Sequence, residues 1–247
     1  MDTDSDAPGH LIWNYFKGLT SFDIVERDDG YINLSGGARD YFSEYKDWRR
    51  HEKEAITYAK GRCLDVGCGA GRVLLYLQLK GLRGLGMDLS PLAVKVCKLR
   101  GVKHAKTMGI DDTGRFKSDS FDSVIMFGNN FGLFGSKARA RGLLKELYRI
   151  TSSRGIIIAE DRDPYITKDP IHFRYHATNR KKGRMPGQLR IRIRFMQYAT
   201  PWYDYLYVSK KEMLEILSGT GWRVKRFIDD EDYRKNGRYM AIMEKAT

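Results

Sequence analysis

The chain has little cysteine, no long apolar run and no excess of acid, and each shortage removes a class of protein. Cys63, Cys68 and Cys97 make an odd three with no Cys-x-x-Cys pair. That count excludes a disulfide scaffold and a structural zinc site, and predicts three small residues in a reducing compartment. No apolar stretch approaches the roughly 18 residues of a membrane span. The start, MDTDSDAPGHLIW, is acidic before it is apolar, the reverse of a secretory leader. A cytoplasmic chain without a membrane span is the expectation. Internal repeats and low-complexity tracts are also missing.

What is present suits one globular domain with elaborations: 247 residues, 42% hydrophobic and 30% charged. The net charge of +13 favours acidic partners such as nucleic acid, phosphorylated metabolites or anionic lipid, although it also serves plain solubility.

Strand and helix alternate from residue 62. RCLDV (62–66) is a short apolar run that stops at glycines, and RVLLYLQLK (72–80) follows at helical period with Gly81 as its stop. GLGMD (84–88) reads as a strand, and Ser90-Pro91 as an N-cap with proline at N1 of a helix reaching Arg100. FDSVIMF (121–127) and GIIIAE (155–160) are buried strands, with a helix capped by Ser136 between them. Apolar strands alternating with helices predict a mostly parallel sheet covered on both faces. No such rhythm is visible between Asp161 and Val208. Beyond it, Ser209 to Glu212 form a capping box, and residues 222–228 and 238–246 read as two strands.

The loop Leu64-Asp65-Val66-Gly67-Cys68-Gly69-Ala70-Gly71 joins the first strand of this series to its helix. Glycines there allow a tight turn and close approach of backbone to a ligand at a helix N-terminus. Asp88 ends the next strand, where a carboxylate accepts hydrogen bonds from ribose hydroxyls. Asp65 is a poor neighbour for a dinucleotide's pyrophosphate. A ligand carrying an ammonium and a sulfonium, S-adenosylmethionine, is favoured there instead. The spacing G-x-G-x-G also departs from the dinucleotide pattern.

LDVGCGAGR, GMDLSPLAV, GIDD and SFDSVIMFGNNFG, in that order, resemble the motif series of class I S-adenosylmethionine-dependent methyltransferases, over about residues 60–160. The likeness is to the broad group, of the type-11 kind, that methylates small molecules and many unassigned substrates. It implies a doubly wound α/β fold whose seven-stranded sheet is mostly parallel with the last strand antiparallel. It also implies that Asp65, Gly67, Cys68, Gly69 and Gly71 line the methionine part of the cofactor, Asp88 holds the ribose and Leu89 packs on the adenine. Asp111 would meet the adenine amino group. Relatives carry that acid one position earlier, where this chain has Ile110, so Asp112 or a backbone amide are alternatives. Gly128 and Asn129 would fall beside the transferring methyl.

Methyl transfer needs alignment and exclusion of water, plus a base for an acceptor of high pKa. Neither the Asn/Asp-Pro-Pro-Tyr/Phe tetrapeptide of amino-directed nucleic-acid enzymes nor a Pro-Cys nucleophile is present. Candidate catalytic residues are Asn129, Asp161 (otherwise a solvated strand-end carboxylate) and His172. His172 and His176 would share a face if helical, but without a third ligand no metal site is expected.

Residues 161–208 carry ten Lys/Arg against four Asp. LRIRIRFMQY (189–198) alternates Ile191, Ile193 and Phe195 against Arg190, Arg192 and Arg194, and residues 202–207 alternate tyrosines. This predicts an inserted β-hairpin lid over the carboxyl edge of the sheet, its arginines either solvated or facing an anionic acceptor. Residues 39–50 read as one cap helix with Tyr41, Tyr45 and Trp48 on a single stripe. By resemblance, a tyrosine there, Tyr41, reaches the cofactor. The domain division expected is 1–54 for an N-terminal extension with the cap helix and 55–247 for the catalytic domain. The acceptor expected is a small molecule. The alternatives are RNA or protein methylation, motivated by the charge, or a catalytically silent cofactor- or nucleic-acid-binding module.

Overall fold

The structure is a computed structural model that describes residues 4–19 and 22–246. The first three residues of the acidic start lie outside them. In chain order the elements are α1 (Ala7–Phe16), β1 (Ile24–Arg27), β2 (Ile32–Leu34), α2 (Arg39–Phe42), α3 (Arg50–Ile56), β3 (Arg62–Val66), α4 (Arg72–Leu79), β4 (Arg83–Asp88), α5 (Pro91–Leu99) and β5 (Ala105–Thr107). Then come β6 (Phe121–Met126), α6 (Lys137–Ile150), β7 (Thr151–Arg162), α7 (Pro170–Lys181), β8 (Gln188–Phe195), β9 (Tyr198–Ala199), β10 (Tyr203–Leu206), α8 (Lys210–Leu217), β11 (Trp222–Asp229), α9 (Tyr233–Asn236) and β12 (Arg238–Lys245).

The expected α/β sheet is present, with seven strands in the order β11-β12-β7-β6-β3-β4-β5. β6 pairs with β7 in parallel, as β4 does with β5. β12, the last strand, is antiparallel to both its neighbours. The predicted signals set the helix starts. Ser90 and Ser136 accept from the backbone N–H three residues on, and Ser209 with Glu212 makes the capping box.

Contacts gather the chain into two compact units that interleave in sequence. The first consists of Met1–Trp48, Leu64–Gly109 and Arg190–Tyr203. In it Ala7, Leu11, Ala38 and Phe195 form one buried cluster, and Ile12, Ala70, Ala93 and Val96 another beneath the glycine loop. The second consists of Arg49–Cys63, Ile110–Leu189 and Asp204–Thr247. In its core the aliphatic residues Val124, Ile125, Leu144, Leu147, Ile157, Ile158, Ile216 and Ile242 are fully buried, together with Phe131, Phe134 and Tyr239.

Three expectations are corrected. The single helix over 39–50 is broken: α2 stops at Phe42, a 3₁₀ turn spans Tyr45–Asp47 and α3 begins at Arg50. Ser43 leaves helical backbone (ψ 138°), and its hydroxyl donates to the Asp40 carbonyl. A serine bonding its own backbone competes with helix continuation. Two of the three stripe aromatics still meet, with Tyr45 stacked on Tyr76 and Trp48 tilted against it, while Tyr41 stands at Gly69.

The segment 161–208 holds a regular helix, α7, whose start is written in Asp169-Pro170: Asp169 accepts from Ile171 N–H, and proline occupies N1. Its face is too polar to betray it by periodicity. The arginine-rich strand, β8, is not simply one arm of a hairpin. It joins β10, β9, β1 and β2 in a second sheet, pairing antiparallel with β1 through Ile24↔Arg194 to Arg27↔Ile191.

Candidate active site

β3 delivers Asp65 and Val66 into the turn, and three glycines carry it. Gly67, Gly69 and Gly71 have φ of 73°, 52° and 82°, a region that other residues enter only at a cost. The turn is pinned from below, since the N–H groups of Gly67 and Cys68 both donate to the Met87 carbonyl. Space is tight as well. A Cβ on Gly69 would lie 2.7 Å from Cδ1 of Tyr41, and one on Gly71 would lie 2.6 Å from Cys97 Sγ. Tyr41, 40% exposed, therefore stands against the loop at Gly69. Arg100 ties the two segments together, donating to the Ala70 carbonyl at 2.6 Å and to those of Tyr41 and Phe42.

Two carboxylates flank this turn. Asp88 Oδ2 accepts from Gly69 N–H at 2.9 Å and its Oδ1 from Ser90 N–H at 2.9 Å. Burial pushes its carboxyl up, while those two amides pull it down. Asp65 is 2% exposed, and its Oδ2 has no hydrogen-bond partner among the described residues. Burial pushes its carboxyl up to about 7, with Arg72 drawing it down and Asp88 raising it further. A buried oxygen left without a partner is costly, and it marks a place where a ligand donor fits. Leu89, next to Asp88, is 54% exposed and lies against Gly109. Cys68 is buried, and its hydrogen bond with Cys97 and that burial hold its thiol well above the usual range. Such a thiol is unreactive. All three cysteines are buried, and none of them is in a disulfide.

The remaining candidates belong to the second unit. Ile110 is 7% exposed and opens a 3₁₀ turn. Asp111, 71% exposed, forms a two-pronged pair with Arg139 (2.7 and 3.2 Å), and Asp112 pairs with Arg115 at 3.0 Å. Gly128 and Asn129 both take positive φ, 72° and 62°. The Asn129 carbonyl accepts from the Tyr205 hydroxyl at 2.6 Å, and its Oδ1 is buried without a partner among the described residues.

Asp161 is not the solvated strand-end carboxylate of the sequence alternative. It is 0% exposed, its Oδ2 lacks a partner among the described residues, and burial pushes its carboxyl well above the usual range. His172 and His176 do share α7, but His176 is buried against Tyr165. Among the described residues no group of three or more His, Cys, Asp or Glu is placed to hold a metal.

Sequence reasoning passed over His51, Glu160 and Asp230. Glu160 is 1% exposed, and its Oε2 accepts from the N–H groups of Gly128 (2.6 Å) and Asn129 (3.4 Å). The available signal was an acid directly following the apolar run Ile156–Ala159. The arginine face of β8 resolves differently from a ligand surface. Arg192 grips Glu26 with two nitrogens (2.8 and 3.1 Å) and stacks on Trp202, and Arg194 lies 3.5 Å from the same carboxylate. Glu26 comes from β1, a strand that no local pattern in the sequence marks.

Comparison with known proteins bears on the fold and the domain. A family model described as a methyltransferase domain matches residues 64–159. A SAM-dependent methyltransferase from Bacteroides fragilis, solved in complex with S-adenosyl-L-homocysteine, superposes with a TM-score of 0.83 at 24% identity, covering 100% of this chain and 98% of that one. A Burkholderia thailandensis 1,6-didemethyltoxoflavin-N1-methyltransferase aligns with a TM-score of 0.54 at 13% identity, over 82% of this chain and 80% of that one. Among curated proteins, a ubiquinone biosynthesis O-methyltransferase from Xanthomonas oryzae pv. oryzae is 31% identical over 74 residues. That stretch is 28% of this chain and spans only 31% of the relative's length.

Proposed function

We propose that this chain, whose residues 64–159 match a methyltransferase domain and whose fold is that of a SAM-dependent methyltransferase, is a class I S-adenosylmethionine-dependent methyltransferase that passes the cofactor's methyl group to a small-molecule acceptor. The observation that carries this reading is Asp65: a buried carboxylate oxygen without a hydrogen-bond partner among the described residues, beside a glycine turn too tight for any side chain. That chemistry fits an ammonium and disfavours a pyrophosphate.

In this reading Asp65 receives the cofactor's ammonium, and Gly67, Cys68, Gly69 and Gly71 bring backbone against its methionine part. Tyr41 closes over Gly69. The two oxygens of Asp88 accept from the ribose hydroxyls, and exposed Leu89 is covered by the adenine. Asp111 and Asp112 are each committed to an arginine, so the adenine edge is assigned to the Ile110–Asp111 backbone. Gly128 and Asn129 serve the methyl-bearing end. When bound, the cofactor supplies a sulfonium methyl open to in-line displacement. The protein's part is to align the acceptor and exclude water.

A small acceptor is supported by what the similar proteins are named for: the Burkholderia enzyme was solved with bound 1,6-didemethyltoxoflavin, and the Xanthomonas relative is an O-methyltransferase of ubiquinone biosynthesis. The β8 arginine face does not add to the case for a polynucleotide, since Glu26 already engages Arg192 and Arg194. No helix among the described residues is long and apolar enough to cross a membrane, and three buried thiols outside any disulfide suit a cytoplasmic setting. Calorimetric titration with S-adenosylmethionine and S-adenosylhomocysteine tests the cofactor assignment. Both should bind at one site, and NAD should not; binding of neither would overturn it.

A further inference from the structure

Glu160 ends an apolar run and is buried on every side, a placement that is costly for a carboxylate unless opposite charge and hydrogen bonds offset it. The second unit supplies both. Oε2 accepts from Gly128 N–H at 2.6 Å and Asn129 N–H at 3.4 Å. Oε1 lies 3.6 Å from His51 Nε2 and 3.9 Å from Arg238 Nη1. His51, 1% exposed on α3, turns its other nitrogen to Asp230, with Nδ1 3.2 Å from Oδ2.

Asp230 is itself fixed by Asn236 Nδ2 (2.9 Å), Asp232 N–H (2.8 Å) and Arg49 Nη1 (3.2 Å). Although burial raises its carboxyl, these bonds and His51 hold it below its ordinary value. Both nitrogens of His51 thus face carboxylates, Nδ1 that of Asp230 and Nε2 that of Glu160. The result is a buried line from Asp230 through His51 and Glu160 to two backbone amides. Those amides belong to residues at positive φ, and Asn129, which is not a glycine, is strained there and needs its surroundings to hold it. An ion network that merely fastened α3 to the sheet would end at His51. Here it continues to the loop.

We propose that His51 and Asp230 are positioning residues that hold Glu160 aimed at the Gly128–Asn129 backbone, fixing the segment that, on the functional reading above, lies at the methyl-bearing end of the cofactor. The charged groups facing this line are Arg49 and Arg238, with Asp161 the next residue along β7.

The test uses the full ¹⁵N-labelled chain and the Gly128 amide proton, which a 2.6 Å bond to a carboxylate draws far downfield. Glu160→Gln and His51→Leu should each move that resonance upfield, and His51→Gln, whose amide reaches the Nε2 position, should restore much of it. Asp230→Asn keeps the shape, should shift the resonance the same way, and covers a His51→Leu chain that fails to fold. By calorimetry, Glu160→Gln should weaken S-adenosylhomocysteine roughly three- to tenfold, with His51→Gln close to wild type. A Gly128 amide unmoved in folded Glu160→Gln and Asp230→Asn overturns the proposal. A wild-type chain that binds neither cofactor form overturns the functional reading instead, because the amide readout needs no ligand.

Discussion

Replacing Asp65 by asparagine should make the ligand-free protein more stable and the cofactor complex weaker. Burial lifts the folded-state carboxyl of Asp65 to about 7 from 3.8. An acid whose pKa is raised by folding contributes stability at low pH that is lost as pH climbs from the unfolded to the folded value, here between about 4 and 7. With 1.36 kcal/mol per unit, the ionised side chain costs the folded chain about 4 kcal/mol at pH 8 and about 2 kcal/mol at pH 5.5. Asparagine removes the charge and keeps the shape, so the Asp65→Asn variant should gain most of that difference. Denaturant titrations of both chains at the two pH values measure it, and the advantage of the variant should shrink by about 2 kcal/mol on going to pH 5.5. A cationic ligand reverses the sign, because it favours the carboxylate. S-adenosylhomocysteine should bind the variant more weakly by about 1.5–3 kcal/mol at pH 8, and its affinity for wild type should fall as pH drops below about 7. A variant that is less stable than wild type at pH 8, or that binds the cofactor product equally well, refutes the assignment of Asp65.

Three further outcomes follow from the same geometry. Asp88→Ala removes the acceptor of the Gly69 and Ser90 amides and the proposed ribose partner, and calorimetry should show cofactor affinity reduced by about 1.5–3 kcal/mol; unchanged affinity would discard the ribose role. Gly69→Val forces a branched side chain into φ 52° against Tyr41. It should abolish cofactor binding while circular dichroism shows the chain folded, whereas normal binding would make the loop a plain turn. Arg192→Gln breaks the two-nitrogen grip on Glu26, so the thermal midpoint should fall while affinity for S-adenosylhomocysteine stays put; the opposite pattern would return this arginine to a ligand surface.

The sequence is most legible where local chemistry decides the structure. β3 stops before Gly67 and β4 at Asp88, Ser90, Ser136 and Ser209 cap their helices, and Asp65 and Asp88 sit at strand ends fixed by the turn itself. Over residues 39–50 the aromatic spacing is a true signal and the continuous helix is not. Tyr45 and Trp48 meet Tyr76 through a 3₁₀ turn as well as they would from a helix. α7 escapes a reading by periodicity because its sequence, IHFRYHATNRK, has no apolar stripe, although Asp169-Pro170 announces its start. β1 escapes because four residues of mixed polarity gain their strand pairing only from β8, far along the chain. The Asp230–His51–Glu160 line is of the same kind: three distant positions whose relation exists only after folding, with an acid inside a buried strand as its single local trace.

Methyl transfer itself is tested by incubating the purified chain with radiolabelled S-adenosylmethionine and fractionated cell extract, with and without nuclease and protease. The account predicts label in a small-molecule fraction, insensitive to both treatments and lost with Asp88→Ala. Label found only in nuclease-sensitive or protease-sensitive material, or no transfer to any fraction by a chain that binds the cofactor, would contradict it.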